Sequence, residues 1–421
     1  MDNITHSVVG LGIGALIDRS VAPEPDAAAQ RTRTRLLLTV CCLASNFPDL
    51  DLVLTRLIEA PLGYLLHHRG HTHTLVAGVA EIAVLLGLVW LLWPAARTLL
   101  RTSPRARMAA LGAACAGLLL HMTMDGLNVY GVHPFWPFDA RWFYGDLVFI
   151  VEPVFWVAFG VPLAAMIGRR LPRTLLLVLL AGVLVGVTAL RYLQWGSLAG
   201  LLALGAALGW IAWRRRGDRG RHALAAGLAA SLAFVAVQAL ALHAVRADVA
   251  QTVARLDPGE ALLDMAMTAY PANPLCWSFV TVASDAAHGG YHLRRGLLSL
   301  APGVTPVTAC PARIAGQATQ PDAADGARLA WQHEARHSLA QLRDLQKNNC
   351  HFDAWMRFAR APSVDAAEAT DVRWSPFGNR NFSTIDYAAV AAQPCPQPVP
   401  DWSYPRADLL QRPDARAEVA R

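Results

Sequence analysis

Of 421 residues, 54% are hydrophobic and only 16% charged, against about 25% charged in an ordinary soluble domain. The charge sits mainly in short arginine clusters and in the last third, which excludes a wholly soluble protein and implies a polytopic membrane part followed by a soluble part. The net charge of +6 comes mostly from loop arginines; it reports topology and gives no reason to expect a nucleic-acid partner.

The expected fold class is mainly α: a membrane-embedded helical domain over residues 1–244 and a C-terminal α+β soluble domain over residues 245–421. The first stretch, MDNITHSVVGLGIGALIDRS, is apolar but has no basic residue ahead of its apolar run and carries Asp2 there. It does not read as a cleavable signal peptide and is expected to be retained, His6 included. Two runs, Ser7–Ile17 and Leu36–Phe47, are short for a span and are compatible with short spans, half-helices or interfacial helices. A span needs about 20 apolar residues. Thr74–Trp93, Met108–Asn128, Leu147–Gly168, Thr174–Leu190 and Ser197–Trp213 reach or approach that length, and Ala223–Ala244 adds a sixth.

The intervening loops alternate. Loops 19–35, 94–107, 169–173 and 214–222 are arginine-rich, while loop 129–146 has Arg141 alone and the turn after Leu190 has Arg191 alone. The positive-inside rule makes the rich loops cytoplasmic and everything after Ala244 outward-facing. In a bacterium that is an inner-membrane, multi-pass protein with a periplasmic C-terminal domain. Cys276, Cys310, Cys350 and Cys395 could pair there; Cys41, Cys42 and Cys115 read as buried thiols. There is no CxxC, so no thiolate zinc site is expected.

The same topology carries His6, Asp49, Asp51, the His67–His73 cluster, His121 and Asp125 to one membrane level. In Phe47-Pro48-Asp49-Leu50-Asp51 the proline ends the preceding helix and two carboxylates follow. In His67-His68-Arg69-Gly70-His71-Thr72-His73-Thr74, four histidines and an arginine occupy eight residues ahead of an apolar helix. Thr72 reads as its N-cap, placing His73 in the first turn. The free amides there, with Arg69, would suit an anion. His121 and Asp125 lie four apart on a helix, one turn apart on one face, where imidazole and carboxylate can share a cation. Glu152, before Pro153, opens the next span and needs a partner, for which a metal is one choice. The aromatic-rich stretch Phe135–Trp142 reads as an interfacial belt.

In the tail, Trp277–Ser284 alternates as a strand with Tyr291–Leu300 as its hairpin partner, and Leu329–Arg360 reads as helical. That stretch contains His333-Glu334-Ala335-Arg336-His337, a match to HExxH, in which two helical histidines would hold zinc and the glutamate would act as base. The competing reading is a charged helix face. The region from about Gln393 is proline-rich and expected to be extended.

The pieces MDNITHSVVGLGIGALI, FPDLD, HRGHTHT, HMTMDGLNVYGVHPFWPFDARW and DLVFIVEP, in that order, resemble the YdjM-like, LexA-binding inner-membrane metal-dependent hydrolases over about residues 1–155. The resemblance implies a motif set of His6, Asp49, Asp51, His68, Arg69, His73, His121 and Asp125, with His67 and His71 as extras. Some members carry a histidine where this chain has Leu52. More loosely, the layout is similar to that of zinc-dependent phospholipase C, which implies phosphoester chemistry. The expected protein is an inner-membrane hydrolase holding a divalent metal, zinc by preference, through His6, Asp49, His73, His121 and Asp125. Asp51, His68, Arg69 and Glu152 are the catalytic candidates, and the substrate is an amphiphile or phosphorylated molecule met in the lipid bilayer. Two alternatives stand beside it: a non-catalytic membrane protein with a structural metal site and a partner-binding tail, and an HExxH zinc peptidase in the tail.

Overall fold

The computed structural model describes residues 1–410 apart from 216–217, 219, 316–319, 323 and 376–377. Arg216 and Arg219 of the arginine-rich loop 214–222 and the segment after Leu410 therefore lie outside the described residues. The chain opens as α1 (Asn3–Ser20), capped by Asp2 accepting from the Thr5 amide at 3.0 Å, and continues as α2 (Ala27–Ala44), capped by Asp26. The two helices touch backbone to backbone. A Cβ on Gly14 would stand 2.6 Å from the Leu37 carbonyl oxygen, so only glycine permits that approach.

A 3₁₀ segment, Pro48–Leu57, leads to α3 (Leu62–His67), a 3₁₀ turn His71–His73, α4 (Leu75–Leu92), α5 (Pro94–Thr102) and α6 (Pro104–Gly126). The helical region closes with α7 (Pro153–Ala165), α8 (Arg170–Ala189), α9 (Trp195–Arg214) and α10 (Arg221–Leu256). Among the described residues six helical stretches are long and apolar enough to cross a membrane: Ala27–Leu57, Leu75–Leu92, Pro104–Gly126, Arg170–Ala189, Trp195–Arg214 and Arg221–Leu256. The protein is embedded in a membrane through them.

The expected span Leu147–Gly168 is corrected. Its helix starts only at Pro153, with Glu152 as N-cap, and is 13 residues long. The short run 7–17 lies within α1, and the run 36–47 forms the last part of α2 and the turn after Ala44, because polar flanks continue both helices. At 36 residues, α10 is about 54 Å long, well beyond a bilayer core of about 30 Å. Its last turns place Val245, Val249 and Val253 against Met267, Trp277 and Phe279 of the tail.

The tail is a mixed α/β domain. Strands β1 (Ala261–Tyr270), β2 (Asn273–Asp285), β3 (Gly290–Ser299), β4 (Gln320–Pro321) and β5 (Leu329–Ser338) form an antiparallel sheet in the order β1-β2-β3-β5-β4. The hairpin read from sequence is present, with Ser284 opposite Tyr291. Around and after the sheet come α11 (Ala312–Ala315), α12 (Leu339–Asn348), α13 (Cys350–Met356), a small sheet of β6 (Pro362–Val364), β7 (Glu368–Asp371) and β8 (Ile385–Asp386), and α14 (Ala407–Leu410). The four tail cysteines pair as Cys276–Cys310 and Cys350–Cys395, and Cys41, Cys42 and Cys115 are free.

The helical reading of Leu329–Arg360 is wrong in its first third. Leu329–Ser338 is β5, paired along its length with β3, and the helix begins at Leu339 after the Ser338 cap. HExxH therefore lies on a strand. His333 and His337 are separated by four strand residues, about 13 Å, and cannot share one zinc with bonds of about 2.1 Å. The peptidase reading falls with the helix that it required.

The tail docks on α3 and on the segment that follows α6. The Trp402 indole donates to the Leu66 carbonyl at 2.9 Å, Arg373 to the Val129 carbonyl at 2.8 Å, and the Trp142 indole to the Arg357 carbonyl at 2.8 Å. Asp146, with φ of 56°, is held by Arg360 at 2.8 and 3.0 Å and by Arg246 of α10 at 2.8 Å.

Candidate metal centre

Four side chains from three segments converge below this docking surface. Asp49 comes from the 3₁₀ segment after α2, His73 from the turn before α4, and His121 and Asp125 from one face of α6; all four are buried. His73 Nε2 lies 3.5 Å from Asp49 and 3.3 Å from Asp125. His121 Nε2 lies 3.6 Å from Asp49 and 3.5 Å from Asp125, and the two Nε2 atoms are 3.0 Å apart. Ligands on a tetrahedron with bonds of about 2.0–2.2 Å stand about 3.3–3.6 Å from one another. Four of these five separations fall in that range and the fifth is slightly shorter.

Hydrogen bonding sets the orientation. His121 Nδ1 faces the Ser45 carbonyl at 2.9 Å and must donate to it; His73 Nδ1 lies 3.2 Å from Asp51 and donates likewise. Both protons are thereby committed to Nδ1, so two Nε2 lone pairs confront each other at 3.0 Å. A proton on one Nε2, making that ring an imidazolium beside Asp49 and Asp125, or a metal ion between them relieves that contact. The charge balance agrees. Asp49, Asp51 and Asp125 bring three buried carboxylates together against the Arg69 guanidinium and the Met1 amine, an acidic excess that a bound cation would offset. Asp125 Oδ2 is ion-paired with Arg69 Nε at 3.0 Å and faces both Nε2 atoms. The donor set fits a divalent metal.

Around these four, Asp51 takes His68 Nδ1 at 3.0 Å, the Arg69 amide at 2.8 Å and the Thr72 hydroxyl at 3.0 Å. Asp49, Asp51 and His68 form a second group close enough to share a cation, with Asp49 common to both. His6 joins the edge: its Nε2 lies 3.2 Å from Asp125 Oδ1 and its ring stacks on His121 at 4.1 Å. The Met1 amine contacts the same oxygen.

Arg69 is turned inward. Its φ of 56° is costly for a non-glycine residue. The conformation brings its Nε within 3.0 Å of Asp125 Oδ2, Nη2 within 3.0 Å of Asp125 Oδ1 and Nη1 within 3.0 Å of Asn128 Oδ1. The cap of α4 is Thr74, which accepts from the Ala77 amide at 3.1 Å; Thr72 is not the cap, and His73 precedes the helix. The Leu75 amide donates to the Pro134 carbonyl. The anion seat expected from Arg69 and this helix start is thus already engaged by protein groups.

Glu152 lies outside the cluster. It caps α7 and accepts from the Ala272 amide in the β1–β2 turn at 3.0 and 3.2 Å. His71 packs on Trp136 and Trp402, and His67 ends α3; neither enters the cluster. The sequence reading missed the Ser45 carbonyl, which a residue-type search cannot find, and the Thr72 hydroxyl, which it assigned to capping.

Residues 1–195 match the family described as YdjM inner membrane protein, and this stretch contains every residue of the cluster. The chain is 26% identical over 163 residues to the uncharacterized protein YfhP of Bacillus subtilis (strain 168); the alignment covers 38% of this chain and 44% of that relative. No solved structure matches.

Proposed function

We propose that this is an inner-membrane metal-dependent hydrolase acting on a phosphoester or lipid-like substrate at the outer membrane face. The observation that carries the reading is the convergence of Asp49, His73, His121 and Asp125, whose ligand atoms stand at near-tetrahedral spacings. Asp49, His73 and His121 would hold the metal, preferentially zinc, with Asp125 as a contested fourth ligand because both of its oxygens also face Arg69. Such a metal, when bound, lowers the pKa of water and polarises a phosphoryl or acyl oxygen. Asp51 fixes His68 through Nδ1, which leaves His68 Nε2 to accept a proton. Arg69 is a positioning residue that holds Asp125. The looser resemblance of the His, Asp, His, His-x3-Asp order to that of zinc-dependent phospholipase C is what favours the phosphoester class. The arginine-poor loop 129–146, docked with the tail, supports a periplasmic site.

The test is turnover of the full chain in detergent against phosphomonoester, phosphodiester and lipid panels, with metal content measured alongside. Asp125→Asn that keeps both metal and activity ends this reading. His68→Gln should lose about 10²–10⁴ in kcat while metal content is unchanged. Full activity in that variant removes His68 as base.

A second reading, a structural metal staple, is favoured by the number of protein ligands, since closed four-ligand sites are typically structural. It predicts a large fall in thermal midpoint on chelation and no turnover on any panel.

A further inference from the structure

Behind Asn128 lies a cleft of about 180 Å³, where the segment after α6 and the extended run before α7 meet β1, β2, β3 and the segment at Arg373–Trp374. Its polar wall comprises Arg295, Arg373, Asn128, Trp374, Ser278 and Thr268, with no carboxylate. The two guanidiniums differ. Arg373 is neutralised by Asp371 through contacts of 2.7–3.1 Å. Arg295, only 3% exposed, donates to Gln332 Oε1 and to the carbonyls of Val372, Arg373 and Ser375. Among the described residues no carboxylate reaches it. Burial without a counter-charge pulls its pKa down to about 10, and a buried cation with only neutral partners is unfavourable.

Two donors in the same wall are also unpartnered. Asn128 Nδ2 and Trp374 Nε1 are buried with no hydrogen bond, each a cost of about 1–3 kcal/mol. All three anomalies have one sign: two donors without an acceptor and one positive charge without a counter-charge. Water could satisfy the amide and the indole but would not neutralise Arg295.

We propose that this cleft is a binding site for a phosphate-type oxyanion. A tetrahedral oxyanion offers enough acceptor positions for the guanidinium, amide and indole together. The anion would touch Nδ2 of the same Asn128 whose Oδ1 receives Arg69, so it sits one side chain away from the Arg69–Asp125 pair. Phe149 and Ile150 line the edge next to α7, where an acyl chain would leave. The site is independent of the metal; only the identification of its anion with a substrate group rests on the hydrolase reading.

The experiment is thermal unfolding of the full chain in detergent, titrated with inorganic phosphate and separately with dihexanoyl phosphatidic acid. A saturable rise in midpoint is expected. Trp374→Phe should weaken it about tenfold and Arg295→Gln should abolish it, with metal content unchanged in both. Tighter binding of the short-chain lipid assigns a headgroup, and equal binding assigns free phosphate. The shift should persist in Asp125→Asn, which separates this site from the metal. No saturable shift in the wild type, or a shift undiminished in both cleft variants, overturns the proposal.

Discussion

The Asp51 carboxylate has four donors, His68 Nδ1, the Arg69 amide, the Thr72 hydroxyl and His73 Nδ1, at 2.8–3.2 Å. A carboxylate so engaged orients other ligands and fixes the His73 tautomer. Asp51→Asn should therefore reduce metal affinity about 10–100-fold with helix content unchanged in circular dichroism; unchanged affinity would show that His73 needs no such support. The neighbouring positions show what sequence can convey. His121 and Asp125 were legible because a spacing of four on a helix fixes a shared face, and Asp49 because the proline places it just past a helix. The partners of Arg69 and Glu152 were not legible for one reason: a charged side chain near a membrane surface has many partners of equal chemical fitness, and only tertiary placement selects Asp125 for one and the Ala272 amide for the other.

Between segments, the weakest sequence signals were strands. The segment ALLDMAMTAY of β1 is built from good helix formers and lacks β-branching apart from Thr268; its strand state comes from pairing with β2. β5 was read as helix for the same reason, and its HExxH letters lost their meaning with the period. The loop between α6 and α7 makes a further prediction. His133 is fully buried, with its ring 3.9 Å from both Trp142 and Trp402. Burial holds its pKa down to about 3, and hydrogen bonds to the Arg141 and Ala140 carbonyls offset this only in part. The unfolded histidine titrates near about 6.5. Between those values the unfolded chain binds more protons, so stability conferred above about 6.5 is lost as pH falls, by up to about 1.4 kcal/mol per pH unit. His133→Phe should flatten the fall in unfolding midpoint from pH 7 to pH 5 relative to wild type. Equal slopes in the two proteins would place the titration elsewhere.

Across the chain, the His/Asp cluster and the surface on which the tail docks lie together, and the buried Arg33–Asp18–Glu24 network joins the α1–α2 connection to the start of α6. A C-terminal alkaline phosphatase fusion should be active and a fluorescent-protein fusion dark; the reverse would move the cluster to the cytoplasm. Placement of the cluster at one level was legible because topology alone aligns helix ends, whereas the cleft at Arg295 was not, since it exists only where two domains meet. The claim on which the rest depends is that Asp49, His73, His121 and Asp125 hold a divalent cation. Its most direct test is the metal content of the full chain purified in detergent, wild type beside His121→Ala and Asp49→Asn. At least one divalent ion per wild-type chain, reduced to background in His121→Ala and lowered in Asp49→Asn, is the predicted result. A wild type that stays metal-free when zinc is supplied, or metal content undiminished in both variants, would contradict it.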